Sequence, residues 1–180
     1  WDTLDLSYFM RHQADDIAWH TRMLSRHLAE PQKSKTDCVV RARLSPEGEG
    51  LQVLVYAQDE ADLFARICGY FDNADFSILD ARIHTTHNGH ALDTSNAEQG
   101  RLSRRVRSFP VTPRVDLRPD DKAQRWLLSI STSDRAGLLY GISLVLARHG
   151  INVQLAKVTT LGERVEDTFL ISGPALQVNR

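Results

Sequence analysis

The sequence predicts an α+β fold made from one supersecondary unit used twice, and three observations carry this. The first is an internal repeat: DEADLFARICGYFDNADFSILDARIHTT (residues 59–86) aligns without gaps on DRAGLLYGISLVLARHGINVQLAKVTTL (residues 134–161). Identities fall at Asp59/Asp134, Ala61/Ala136, Leu63/Leu138, Ile67/Ile142, Ala81/Ala156 and Thr85/Thr160, and most other positions exchange one apolar residue for another. A shared apolar pattern at a constant offset is the mark of a repeated unit. The second is that an alternating strand precedes each copy and a further strand, ALDTS or VEDTFLIS, follows it. The third is an N-terminal stretch with helical rather than alternating periodicity.

Residues 1–30 read as a self-contained helical segment. ADDIAWHTRMLSRHL puts Ile17, Met23, Leu24 and Leu28 near one face. Asp15 and Asp16 fall in the first turn, where the helix dipole favours acids. Residues 31–37 form a polar linker containing Pro31. CVVRARL and LQVLVYA alternate as strands around the SPEGEG turn, which makes a hairpin. Each copy then reads strand, helix, strand, strand. In the second, RWLLSISTS ends at a corner where Ser133 and Asp134 are the cap candidates and Gly137 lies in the first turn. Leu138, Leu139, Ile142, Leu146 and Ala147 make the buried helix stripe. RHG closes the helix with a basic last turn and Gly150 at the C-cap. The helices cover one sheet face, an α+β sandwich. The boundaries that follow are 38–118 for the first module, with its extra N-terminal hairpin strand, and 119–180 for the second.

Composition excludes several classes. The chain has 180 residues, 42% apolar and 25% charged, with a net charge of −1, so no global field favours nucleic acid or an acidic membrane. No apolar run is long enough for a bilayer, and WDTLDLSYFMRHQ lacks the basic start and apolar core of a signal peptide. The chain does not open on Met, so a fragment of a longer protein is expected. Cys38 and Cys68 are expected to be reduced thiols of a cytoplasmic protein.

Strand, D-x-x-G-L-L, helix, strand resembles the ACT fold, a ferredoxin-like βαββαβ module that senses small molecules, often amino acids. SYFMRHQADDIAWH, RRVRSFPVTPRV and LGERVEDTF carry the resemblance over nearly the whole chain. The chain resembles the C-terminal tandem ACT region of the bacterial bifunctional uridylyltransferase and uridylyl-removing family of PII nitrogen signalling. The resemblance implies that residues 1–30 end a phosphohydrolase region and that glutamine is the allosteric effector. It also implies that catalytic domains outside these residues attach and remove UMP on PII proteins, with Mg2+ needed only there. PII, those catalytic domains and a second copy of the chain are the partners it implies. No His is followed by Asp, and no Asp-x-Asp pair follows a Gly-Ser turn. No catalytic residue, metal site or cofactor is therefore assigned to this chain.

A βαββαβ module continues with a second helix and a fourth strand. After ALDTS only NAEQGRLSRR precedes VRSFPVTPRVDLRP, and the chain stops after PALQVNR. Each module is thus expected to be incomplete, with residues missing near 95–100 and after 180.

The candidate effector site is the second corner: Ser133, Asp134, Arg135, Ala136, Gly137 and Leu138, with Asn152 and Val153 on the next strand. A helix N-terminus suits an amino acid's carboxylate, Gly137 admits a ligand close to the backbone, Asp134 suits the amino group, and Asn152 suits a side-chain amide. A purely structural corner is the alternative, with Asp134 as N-cap and Gly137 there for close packing. In the first copy Asp62 replaces the glycine. That copy is expected to bind nothing or to lend only its strand face, Ser77, Ile78, Leu79 and Asp80, at the seam. RLSRRVRSFPVTPR reads as a solvated strand edge or an acidic-surface dock rather than a nucleic-acid site, since no aromatic series accompanies it. His84, His87 and His90 flank an Asn88-Gly89 turn and read as surface histidines. Trp1, Trp19 and Trp126 read as packing residues.

Overall fold

The computed structural model describes residues 3–29, 38–46, 48, 50–100, 111–120, 125–135, 137–161 and 164–176. The 31–37 linker, Arg101, Arg104, Arg105 and Arg107 of the basic stretch, Ala136, Trp1 and the last four residues lie outside the described residues. The elements run α1 (Leu6–Arg11), α2 (Ala14–Ala29), β1 (Val39–Leu44), β2 (Leu51–Gln58), α3 (Leu63–Asn73), β3 (Phe76–Thr85), β4 (His90–Gln99), β5 (Arg114–Pro119), β6 (Trp126–Ser133), α4 (Leu138–Arg148), β7 (Asn152–Lys157), β8 (Thr160–Leu161) and β9 (Arg164–Ser172). A 3-10 turn covers Pro174–Leu176.

The strands form one antiparallel sheet in the order β1-β2-β4-β3-β7-β9-β6-β5, with β8 beside β9. Its two halves are tandem ACT-like modules joined edge to edge. The repeat offset reaches beyond the corners: 39–44 maps onto 114–119, 51–58 onto 126–133 and 63–73 onto 138–148. At the seam, β3 meets β7 through the pair Ala81↔Ala156, the two positions the repeat equates. A pseudo-two-fold axis therefore passes between these alanines. Both are 1% exposed, so no larger side chain fits there without parting the halves.

One feature differs from the sequence reading. Strand 114–119, grouped above with the first module, pairs along its length with β6 of the second. β4 runs from His90 to Gln99. Each half has four main strands, with a hairpin strand (β1 or β5) at the edge that a closing strand would otherwise occupy.

α3 and α4 lie side by side on one face. A Cβ at Gly69 would sit 2.9 Å from the Tyr140 ring, so the missing side chain sets how closely the helices approach. Their core holds Phe64, Cys68, Ile83, Leu128, Leu146, Phe169 and Ile171. Val40, Leu44, Val115 and Leu117 share this face on the edge strands but stay exposed. On the opposite face of the first half, α1 and α2 bury Tyr8, Trp19 and Leu24 against Leu54, Tyr56 and Leu92, each burial worth roughly 1.5–3 kcal/mol. Leu28 is 53% exposed and does not join them. In the second half the pair Tyr56↔Leu92 becomes Ser131↔Glu166, which offers a helix nothing apolar to cover.

Candidate functional site

The second corner is tighter than the sequence implies. Helix α4 begins at Leu138, and Gly137 is its N-cap at φ +70°, so neither Ser133 nor Asp134 caps it. The cause is that β6 runs to Ser133 and the chain needs the next residues to turn. Asp134 and Arg135 are exposed, Leu138 is buried, and the Ser133 hydroxyl accepts from the Val111 N–H at 3.2 Å. A Cβ at Gly137 would lie 3.4 Å from the Asp72 carboxylate of α3, so this corner abuts the first module. Replacing Gly137 by Ala should cost about 1–2 kcal/mol, from its left-handed backbone. Gly137→Asp should cost more, because it sets a second carboxylate near Asp72; urea unfolding measures both.

Asn152 and Val153 do not sit with this corner. They line a narrow cleft of about 10 Å³, room for little more than a water molecule, with the first corner, beside Asp59, Glu60, Ala61, Leu63, Phe64, Ile83, Ala91 and Asp93. The reason is the seam: with β3 and β7 antiparallel neighbours, each module's corner faces the neighbour's strand. Ser77 and Ile78 hold the positions on β3 that Asn152 and Val153 hold on β7. The Ser77 hydroxyl donates to the Gly100 carbonyl at 3.3 Å. A register shift between Ile78 and Asp80 spans Leu79. Asp80 pairs with Arg82 at 3.1 Å, and Arg82 reaches Asp16 at 3.7 Å, so Asp80 belongs to the α1–α2 face and not to a corner.

Each module also buries a carboxyl group beneath its corner. Asp93 pairs across the strands with Val55, and Asp167 with Ile130, the repeat counterpart of Val55. Asp93 is 3% exposed and neither carboxyl oxygen has a hydrogen-bond partner. Burial raises its pKa well above the usual carboxylate range, and the Asp59 charge adds to this. Asp167 is 1% exposed. Burial lifts it to about 7, against the Thr159 backbone hydrogen bond and with help from Asp134. Asp59 itself accepts from the Thr85 hydroxyl at 3.0 Å. Sequence reasoning missed this pair. Its signal was an Asp-Thr step at an inward strand position in both copies, LDT and EDT.

A second polar cluster lies under α1 and α2. Asp16, 4% exposed, accepts from Arg43 at 2.6 Å and Gln52 at 3.2 Å. His20 contacts the Tyr8 hydroxyl at 2.6 Å and the Thr94 hydroxyl at 3.2 Å. His12 and His84 meet at 3.3 Å. His84, read above as a surface histidine, is buried, because the helices cover the side of β3 it faces. His87 is exposed, and His90 is half-buried and stacks on Tyr56. Trp19 is buried with the Arg43 guanidinium 4.3 Å above its ring, and Trp126 packs on the central core. Arg114 and Arg164 line a shallow second cleft with Val111, Thr112 and Ser131. Cys38 and Cys68 are unpaired thiols. Among the described residues no three His, Cys, Asp or Glu side chains converge as a metal site, and no helix is long and apolar enough to cross a membrane.

Residues 1–23 match the family described as "Uridylyltransferase GlnD fifth domain". The chain is 49% identical to the bifunctional uridylyltransferase/uridylyl-removing enzyme of Cupriavidus metallidurans, over 98% of this chain and 24% of that protein. It is 47% identical to the protein of the same name from Burkholderia mallei, over 100% of this chain and 24% of that protein. The chain thus spans about a quarter of the length of the curated relatives it matches. The matched stretches run to 209 and 213 positions against 180 residues here, so these relatives carry residues within the match that this chain does not. No solved structure matches.

Proposed function

Since this chain belongs to the family of the bifunctional uridylyltransferase/uridylyl-removing enzymes, within their C-terminal region, we propose that it is the regulatory part of such an enzyme, a cytoplasmic sensor of glutamine. It controls the attachment and removal of UMP on PII proteins and carries out neither step itself. The supporting observation is the seam cleft, where the first module's corner and the second module's Asn152 and Val153 face one cavity. A ligand that bridges two modules favours one arrangement of them over another, and that difference in affinity is what a sensor requires. Asn152 supplies an amide whose donor and acceptor match those of a glutamine side chain.

Thermal melting of the chain against a panel of L-amino acids tests this. L-glutamine should raise Tm by several degrees at saturation, with L-asparagine and L-leucine giving less. An equal response to all three would remove glutamine as the effector. The exposed Val40, Leu44, Val115 and Leu117 favour a second reading, a docking or dimerisation module without a small ligand. On that reading, Tm responds to protein concentration and to no amino acid.

A further inference from the structure

We propose that the open sheet face of the second half is a docking surface for a further helix of the fifth domain, the family that residues 1–23 match. The helix that fits is amphipathic and sets an acidic side chain between Arg118 and Lys157. This rests on the reading of the chain as the regulatory part of such an enzyme, and goes beyond it by naming the surface through which that part meets the rest of the protein.

The first half shows how this face grips a helix. Asp16 of α2 sits between Arg43 of β1 at 2.6 Å and Arg82 of β3 at 3.7 Å. The offset that carries 39–44 onto 114–119 carries Arg43 onto Arg118. The same offset equates Ala81 with Ala156 and carries Arg82 onto Lys157. The second half thus repeats the cationic pair, and both of its members are exposed. Arg118 lies 2.5 Å from Asp116 on its own strand. Arg82 likewise lies 3.1 Å from Asp80 and still reaches Asp16, so such a neighbour leaves the cation free to hold a helix's acid.

Apolar surface lies between the two charges. The strand pair Gln52↔Asn96 of the first half becomes Leu127↔Leu170 in the second, and Leu155 pairs with Leu170 on its other side. Arg118 pairs with Leu127 at one end of this row, and Lys157 follows Leu155 on β7 at the other. Leu128, Phe169 and Ala156 beside these leucines belong to the α3–α4 core, so alternation turns the leucines to the α1–α2 side. Leu127 is 38% exposed, and Leu155 and Leu170 are half-buried. Burial, and after it the Arg125 charge, lowers the Arg11 pKa, which sets the end of α1 beside the start of β6 and the row. On α1, Leu6, Phe9 and Met10 share a face at helical spacing and are exposed. An exposed helix stripe beside an apolar row flanked by cations suits one amphipathic, acidic helix. The fifth domain is its source because α1 and the start of α2, which match that family, already dock on this sheet face. A second copy of the chain fits less well. A two-fold contact of this face with itself sets Arg118 and Lys157 against like charges.

The test is carbodiimide cross-linking, read by peptide mass spectrometry, on the full-length enzyme of which the regulatory reading makes this chain a part. The reagent joins a lysine amine to a carboxyl group in contact with it. In the band of single chains, Lys157 should couple to an Asp or Glu upstream of Trp1. Hydroxyl-radical footprinting gives a second readout that needs no variant. Met10, 78% exposed in this chain, and Leu127 should be labelled several-fold less in the full-length enzyme than in residues 1–180 alone. Coupling of Lys157 confined to residues 1–180, coupling between two molecules, or equal labelling of Met10 and Leu127 in the two proteins each overturns this inference. None of these results bears on glutamine, which the melting panel decides separately.

Discussion

Replacing Asp16 by Ala should cost about 3 kcal/mol and loosen α1 and α2 from the sheet. Asp16 binds two cations and an amide at once: Arg43 at 2.6 Å, Arg82 at 3.7 Å and Gln52 at 3.2 Å. Truncation leaves those groups facing each other across an interface with no acid between them. The value sits at the low end for a broken buried pair because the Arg43 and Arg82 side chains keep 23% of their surface exposed and reach water. Trp19 lies under Arg43, so its fluorescence during urea unfolding should report loosening of the helices before global unfolding. Asp16→Asn should cost less, since it keeps an acceptor for Arg43 and Gln52. Acid should weaken the same interface. Burial, above all, lowers the pKa of His12 to about 3 and of His20 and His84 to about 4. Arg82 lowers all three, Arg11 acts on His12 and His84, Arg43 acts on His20, and Asp16 and Asp5 oppose the shifts of His20 and His84 respectively. These rings are neutral when folded and charge near 6.5 when unfolded. Their contribution is present above 6.5 and is lost as pH falls towards 4.

Asp167→Asn should stabilise the protein at pH 8 by on the order of 3 kcal/mol and leave it unchanged at pH 4. The folded carboxyl titrates near 7, above its ordinary 3.8. A group raised in this way contributes stability that is complete below 3.8 and disappears as pH climbs through 7. At pH 8 the wild type keeps a charge in a site that is 1% exposed, while the variant keeps a neutral amide of the same shape. Urea unfolding of both proteins at the two pH values measures the difference. The opposite signs at the two places are themselves informative: acidification from 7 to 4 should loosen the helical segment and steady the second corner. Hydrogen exchange resolves α2 from β9 in the same sample.

Much of the fold was legible because the repeat is a local pattern at a fixed spacing. The equivalence of Ala81 with Ala156 was readable from the alignment, and the seam pairs these two residues. What the sequence did not carry was which surface meets which. Alternation in IHTTHNGH places His84 on one face of β3, but only the docking of α1 and α2 decides whether that face is dry. The assignment of Asn152 to the second corner failed for a similar reason: chain proximity favoured its own module, and the sheet order placed it beside Asp59. Strand 114–119 carries an ordinary alternating pattern, so nothing local says which half it extends. Asp93 and Asp167 were detectable in principle, as acids at inward positions of both third strands.

The most direct measurement of the central claim is calorimetric titration of the chain with L-glutamine at pH 7. The account predicts saturable heat from glutamine binding at the seam between the two modules. A flat titration, with hydrogen exchange at β3 and β7 unaltered by millimolar glutamine, would contradict it.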